Sequence, residues 1–268
     1  MSYRIENLID NDDVTRLWPH EGTRDCGPFS AIQWERDLSV TAASAQAAFF
    51  ASEMDVCRRQ LVCDLSVAPV KLQAGMMQMT VGEAEVSTGV KGILDLAHKL
   101  ARAAATDESV VKPEYVGTGT VLCEPTFKHL VCLSLAEFGG SIVVDDGTFA
   151  ACEASVKESL KRPDTVGAAL AGNEGLFKLR LDGTGHVVLE SPCPKNELIV
   201  IRLENDVLRL DGNLALAWTS TLKFGVERAG KSLIGSATSG EGLVNTYRGT
   251  GTILMTPTQP VTTNGLGE

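Results

Sequence analysis

Short apolar runs of strand length recur along the chain and line up with one another: Leu61-Val62-Cys63-Asp64-Leu65, Leu130-Val131-Cys132-Leu133 and Leu198-Ile199-Val200-Ile201. About a dozen residues beyond the second and third runs, an Asp-Gly step sits between apolar residues. It occurs in Val143-Val144-Asp145-Asp146-Gly147-Thr148-Phe149 and in Leu208-Arg209-Leu210-Asp211-Gly212-Asn213-Leu214. Such a step is a hairpin signal, because glycine accepts positive φ at little steric cost. The first run leads instead to Gln73-Ala74-Gly75-Met76-Met77, where the aspartate is lost. A further phrase, Asn173-Glu174-Gly175-Leu176, returns as Gly240-Glu241-Gly242-Leu243.

The last phrase of the series is Gly117-Thr118-Gly119-Thr120-Val121, then Gly183-Thr184-Gly185-His186-Val187, then Gly249-Thr250-Gly251-Thr252-Ile253, leading to Pro125, Pro192 and Pro257. Successive copies are 66 residues apart both times (183 − 117 and 249 − 183). A fixed interval with a fixed order of phrases marks a triplicated unit. The expected fold is therefore mainly β, with repeats at about 57–126, 127–192 and 193–257 in one compact domain spanning 46–257. One repeat alone would leave long sheet edges bare, so the three close around a shared core. The first repeat carries an insertion with a helical stripe, Ile93, Leu96, Ala97, Leu100 and Ala104.

Residues 1–45 match none of the repeats and read as a divergent N-terminal extension, loop with short ordered pieces, anchored by Trp18, Phe29, Ile32 and Trp34. From Thr41 to Ala51 an alanine-rich helix competes with a strand reading of Phe49-Phe50, and both stay open. The polar segment 258–268 is expected to be a mobile tail.

Composition narrows the functional classes. Net charge of −10 opposes phosphate neutralisation, so no nucleic acid is expected as a partner. Seven cysteines without a C-x-x-C pair read as reduced, buried thiols. No apolar run of about 18 residues and no leader stands out, so a soluble cytoplasmic protein is expected.

Candidate chemistry is sparse. Gly225-Val226-Glu227-Arg228-Ala229-Gly230-Lys231-Ser232 fits the phosphate-loop pattern, with Gly225, Gly230, Lys231 and Ser232 as the cradle. A phosphate loop needs a helix directly after it, and the next segment, Leu233-Ile234-Gly235-Ser236-Ala237-Thr238-Ser239-Gly240, makes a poor one. A solvated β-turn is the preferred reading, and a small-ligand or nucleotide-binding protein using Gly225–Ser232 is the alternative. Gly117, Gly119, Gly183, Gly185, Gly249 and Gly251 lack the third glycine of a dinucleotide fingerprint; with Gly147 and Gly212 they read as structural turn glycines. His20, His98, His129 and His186 show no metal spacing, although His129 and His186 have Glu190 and Glu124 as partners to meet through the fold. Cys123, Cys132 and Ser191 have no adjacent base. Asp145 and Asp146, pointing to opposite faces of a strand, read as solvated turn residues. No catalytic residue, metal or cofactor is expected.

The series Leu130-Val131-Cys132-Leu133, Asp146-Gly147, Glu174-Gly175-Leu176-Phe177 and Gly183-Thr184-Gly185-His186-Val187, with its third copy through Gly249-Thr250-Gly251, resembles the altered-inheritance-of-mitochondria number twenty-four family over about residues 57 to 257. The resemblance implies a fold similar to the tryptophan RNA-binding attenuation protein superfamily, a short double-stranded β-helix triplicated with pseudo-threefold symmetry. It also implies no assigned activity for bacterial members and a link to inner-membrane organisation for mitochondrial ones. The expectation is a non-enzymatic β-scaffold or binding protein, a homo-oligomer with a protein or membrane-surface partner.

Overall fold

The computed structural model describes residues 3–9, 11–19, 25–36, 38–87, 112–162, 164, 178–228 and 243–258. In chain order the strands are β1 (Val14–Trp18), β2 (Phe29–Trp34), β3 (Arg58–Asp64), β4 (Val70–Leu72), β5 (Met77–Ser87), β6 (Glu114–Cys123), β7 (His129–Ser134), β8 (Ser141–Val144), β9 (Phe149–Glu153), β10 (Lys157–Lys161), β11 (Lys178–Asp182), β12 (His186–Ser191), β13 (Ile199–Asp211), β14 (Ala215–Thr219), β15 (Lys223–Arg228) and β16 (Leu243–Met255). One α-helix among the described residues, α1 (Ala45–Glu53), falls between β2 and β3. The strands make two curled antiparallel sheets. The chain is mainly β.

Register shows how the sheets are built. The strand β5 lies along β6 from Ser87 opposite Glu114 to Met77 opposite Cys123, slipping by one residue at Gln78. The same slip recurs where β9 meets β12, skipping Ala150, and where β14 meets β16, skipping Leu216. An extra residue in one strand bends it and increases its twist, so these slips curl the sheets. Separate ladders join consecutive segments: β4 pairs β9 with Leu72 opposite Ala151, and β8 pairs β14 with Val144 opposite Ala217.

Alternating strand faces fill four apolar clusters, one of them Leu8, Val14, Ile32, Val62 and Leu122 under the N-terminal strands. Another contains Phe29, Leu61, Val121 and Val188, a third Leu133, Ile142, Leu181 and Leu189, and a fourth Trp218, Phe224 and Tyr247. The rings of the last three pack with centroids 5.1 to 5.3 Å apart.

Some expectations are filled in and others are corrected. Part of the N-terminal extension is sheet: β1 and β2 form an antiparallel pair, and β2 adds to β3 through six residue pairs from Phe29–Cys63 to Trp34–Arg58. The stretch left open at Thr41–Ala51 resolves as α1, whose alanines favour a helix. In the first apolar run, Val62 rather than Cys63 takes the place of Cys132 and Val200, because these three stand opposite Leu122, Val188 and Leu254. Of the six Gly-Thr-Gly glycines, read as turn or bulge positions, only Gly183 and Gly185 fall between strands; Gly117 and Gly119 lie inside β6, and Gly249 and Gly251 lie inside β16 opposite the register shift at Leu203–Asp206. At Gly117 the backbone has φ of 115°, and a Cβ there would overlap the Glu83 carbonyl oxygen, so glycine lets the neighbouring strand approach. Gly147 and Gly212 occupy the β8–β9 and β13–β14 connections with φ of 68° and 72°. The helical stripe Ile93–Ala104 lies outside the described residues.

Candidate functional site

The most unusual surface is built by one buried arginine. Arg59 is fully buried on β3, and its backbone exchanges hydrogen bonds with Thr126 at 2.7 and 2.8 Å. Its guanidinium donates to the backbone oxygen of Asp55 at 2.8 Å, to Phe127 O at 3.3 Å and to Cys57 O at 3.4 Å. An ion pair of 2.9 Å to Asp55 Oδ1 completes the clamp. Asp55 sits at φ of 58° just past α1, where it ends the helix. One side chain therefore ties the end of α1 and the β6–β7 connection to the same strand.

Both tethered segments present apolar side chains to solvent. None of the α1 residues is buried. Phe49 and Phe50 are each 60% exposed and stack edge to face at 5.6 Å. Met54 at 78%, Val56 at 47%, Phe127 at 59% and Leu38 at 75% accompany them. A cavity of about 510 Å³ opens beneath α1, lined by Trp34, Val40, Ala48, Phe49, Val56 and Phe127. Phe49, Val56 and Phe127 share the cavity beneath α1, Phe50 packs on Phe49, and Leu38 lines a neighbouring cavity.

Arg59 also lines a cavity of about 820 Å³ of mixed character, in which Cys26, Asp55, His129, Cys132 and Lys195 stand among Trp18, Leu130 and Pro194. His129 Nε2 is 4.0 Å from Asp55 Oδ2. Burial, joined by the positive charge of Arg59, holds the His129 imidazole below its ordinary pKa, so it is neutral near pH 7. Contact with the Cys132 thiol, aided by Lys195, lowers the Cys26 thiol, while that contact and burial push Cys132 up. Trp18 Nε1 closes the cavity on β1 by donating to Leu130 O at 3.0 Å.

The other residues singled out by sequence are dispersed over the fold. Gly225 is in β15 opposite Thr246, and Val226 to Arg228 continue the ladder to Leu243; residues 229–242, with Gly230, Lys231 and Ser232, lie outside the described residues. His186 Nδ1 meets Glu153 Oε1 at 2.7 Å, and Glu190 meets Lys128 at 2.8 Å, so the histidine partners expected from sequence are replaced. Ser191 Oγ donates to Cys193 O at 2.7 Å within a local turn. Cys123 is buried beside Cys63, whose thiol burial pushes well up. Asp145 and Asp146 do not point apart into solvent. They converge on the buried Lys178 Nζ at 2.7 and 2.8 Å, because they lie at the strand end, where the chain turns. Burial opposes the charge of Lys178, and the carboxylates more than offset it, raising its pKa. Among the described residues no cluster of His, Cys, Asp or Glu has metal-binding geometry, and no helix is long and apolar enough to cross a membrane.

Sequence reasoning missed Arg59, which joins the nearby Asp55 and Cys57 to the distant Phe127, and Lys178, whose partners are distant in the chain. The Phe49-Phe50 pair in an alanine run was the visible signal for the apolar surface.

Residues 55–258 match the family described as mitochondrial biogenesis AIM24. An uncharacterized protein of Streptococcus pyogenes serotype M6 is 25% identical over 193 residues, 69% of this chain and 75% of the relative. A crystal structure of a Streptococcus pyogenes protein is similar in fold, with a TM-score of 0.55 and 23% identity over 77% of this chain and 90% of that one.

Proposed function

The chain belongs to the mitochondrial biogenesis AIM24 family, and from that premise we propose that it is a cytoplasmic, non-enzymatic β-scaffold that self-associates and engages a membrane surface through the apolar face around α1. The reading includes a body of three copies of one β-module in pseudo-threefold arrangement, similar to the tryptophan RNA-binding attenuation protein fold. The recurrence of one bulge at Gln78, Ala150 and Leu216 supports the three copies.

The observation that carries the membrane reading is the exposure of Phe49, Phe50, Met54, Val56 and Phe127 on and around α1. The paired phenylalanines, on a helix of which no residue is buried, suit the boundary between headgroups and acyl chains. A net charge of −10 disfavours anionic lipid and selects zwitterionic headgroups. Nothing specific favours the nucleotide alternative, since Gly225 to Arg228 are ladder residues of β15.

Flotation with phosphatidylcholine vesicles tests the proposal. The wild-type chain is expected to float with vesicles, and the double variant Phe49→Asp/Phe50→Asp to stay behind. Its fold should persist, because exposed substitutions shift stability by about 0.5 kcal/mol or less. Equal flotation of both proteins, or of neither, sinks the membrane reading. Sedimentation equilibrium reports the self-association.

A further inference from the structure

Among the described residues, two strand edges are left open at opposite ends of a repeating series. The ladder between β4 and β9 sets Val70, Lys71 and Leu72 opposite Glu153, Cys152 and Ala151. The ladder between β8 and β14 sets Ile142, Val143 and Val144 opposite Thr219, Trp218 and Ala217. In both, the donor residues also pair with the strand behind them at equivalent places: Val70 opposite Tyr115, and Ile142 opposite Leu181. Leu208 stands opposite Tyr247 in the same way, so Leu208, Arg209 and Leu210 are the next donor segment. Ala151 and Ala217 each follow the shared bulge, opposite Val188 and Leu254. Met79 follows it too, opposite Leu122, so Met79, Thr80 and Val81 are the next acceptor segment. Among the described residues, β13 pairs only with β16, and β5 only with β6.

We propose that these edges join two copies of this chain head to tail, with Leu208, Arg209 and Leu210 of one copy antiparallel to Val81, Thr80 and Met79 of the next. The proposal rests on the self-associating, three-module reading and deepens it by assigning the contact. An open edge with unpaired backbone donors and acceptors is a template for a further strand. The internal ladders show which strand fits it.

Charge supports the same register. In the first ladder Lys71 reaches across to the Val156 carbonyl oxygen at 2.8 Å and to Glu158 at 3.2 Å. Arg209 holds the place of Lys71 on β13. On β5 the place of Val156 is taken by Ala84, since Val86 stands opposite Tyr115 as Glu158 stands opposite Leu181. Glu83 and Glu85 flank Ala84 on that strand. An arginine from the next copy therefore meets the Ala84 carbonyl oxygen, while Val86 takes the place of Glu158 and the two carboxylates project from the other strand face. The contact is heterologous, so it extends into a ring or a filament rather than stopping at a twofold dimer.

Directly opposed residues of an antiparallel pair have Cα atoms about 4.5–5.5 Å apart, within the range a disulfide spans. Full-length chains carrying Val81→Cys are mixed with full-length chains carrying Leu208→Cys and treated with oxidised glutathione. The expected product is a covalent dimer whose peptide map joins residue 81 of one chain to residue 208 of the other. Each variant alone is expected to form far less dimer, and Arg209→Glu to reduce the mixed product several-fold. If both cysteines on one chain close it as a covalent monomer, the edges meet within a molecule and the proposal is overturned. An oligomer by sedimentation that gives no 81–208 link overturns the register alone, whereas a monomer at every concentration overturns self-association as well.

Discussion

Single residues carry the electrostatic decisions of this fold. Lys178 is 7% exposed and holds two carboxylates at 2.7 and 2.8 Å. Removing one partner of a buried pair leaves the others uncompensated, so Lys178→Met is expected to cost about 3 kcal/mol, read as a lowered urea midpoint. Position 112 carries the corresponding lysine of the first segment. Lys112 donates to Gln73 at 2.9 Å and lies 3.8 Å from the centroid of the Phe149 ring. His129 makes a pH prediction. Its folded pKa is depressed below 6.5, so the folded state takes up its proton less readily than the unfolded chain. Stability is fully present above that value and falls as pH drops below it, and His129→Gln should flatten this part of a thermal-unfolding profile against pH.

At the scale of elements, α1 and the β6–β7 connection depend on Arg59 more than on their own packing. No α1 residue is buried, and the Ser44 N-cap makes no side-chain cap hydrogen bond. A nine-residue helix is marginal in water by itself, so its tether decides whether it persists. Arg59→Met removes the clamp on Asp55 and Phe127 and is expected to cost on the order of 3 kcal/mol, with loss of vesicle flotation tracking the loss of helical signal. Had the apolar surface been independent of α1, flotation would survive. The glycine phrases show a different dependence. Their spacing was visible in the chain, but whether Gly117 turned the chain or admitted a neighbour was settled by Glu83, distant in sequence and adjacent in the sheet.

For the whole molecule, strand content, the order of the apolar runs and the 66-residue interval were legible because they are local or periodic properties of the chain. Alternation and turn residues act over a few positions, so they can be read without knowing partners. Family membership came from the same phrases. The β1–β2 addition to β3 was not legible, since its irregular, proline-containing sequence becomes sheet only by pairing with Arg58–Cys63. Nor was the convergence of Asp145, Asp146 and Lys178, or the burial of Arg59 against the Thr126–Phe127 segment, because a charge enters the interior only where the fold brings groups together to satisfy it. The amino-acid order alone thus determined that the chain is mainly β and that one phrase returns at 66-residue intervals. Tertiary structure decided which edges stay open, which charges are buried and which apolar residues face water, because pairing and solvation depend on neighbours brought together only by folding.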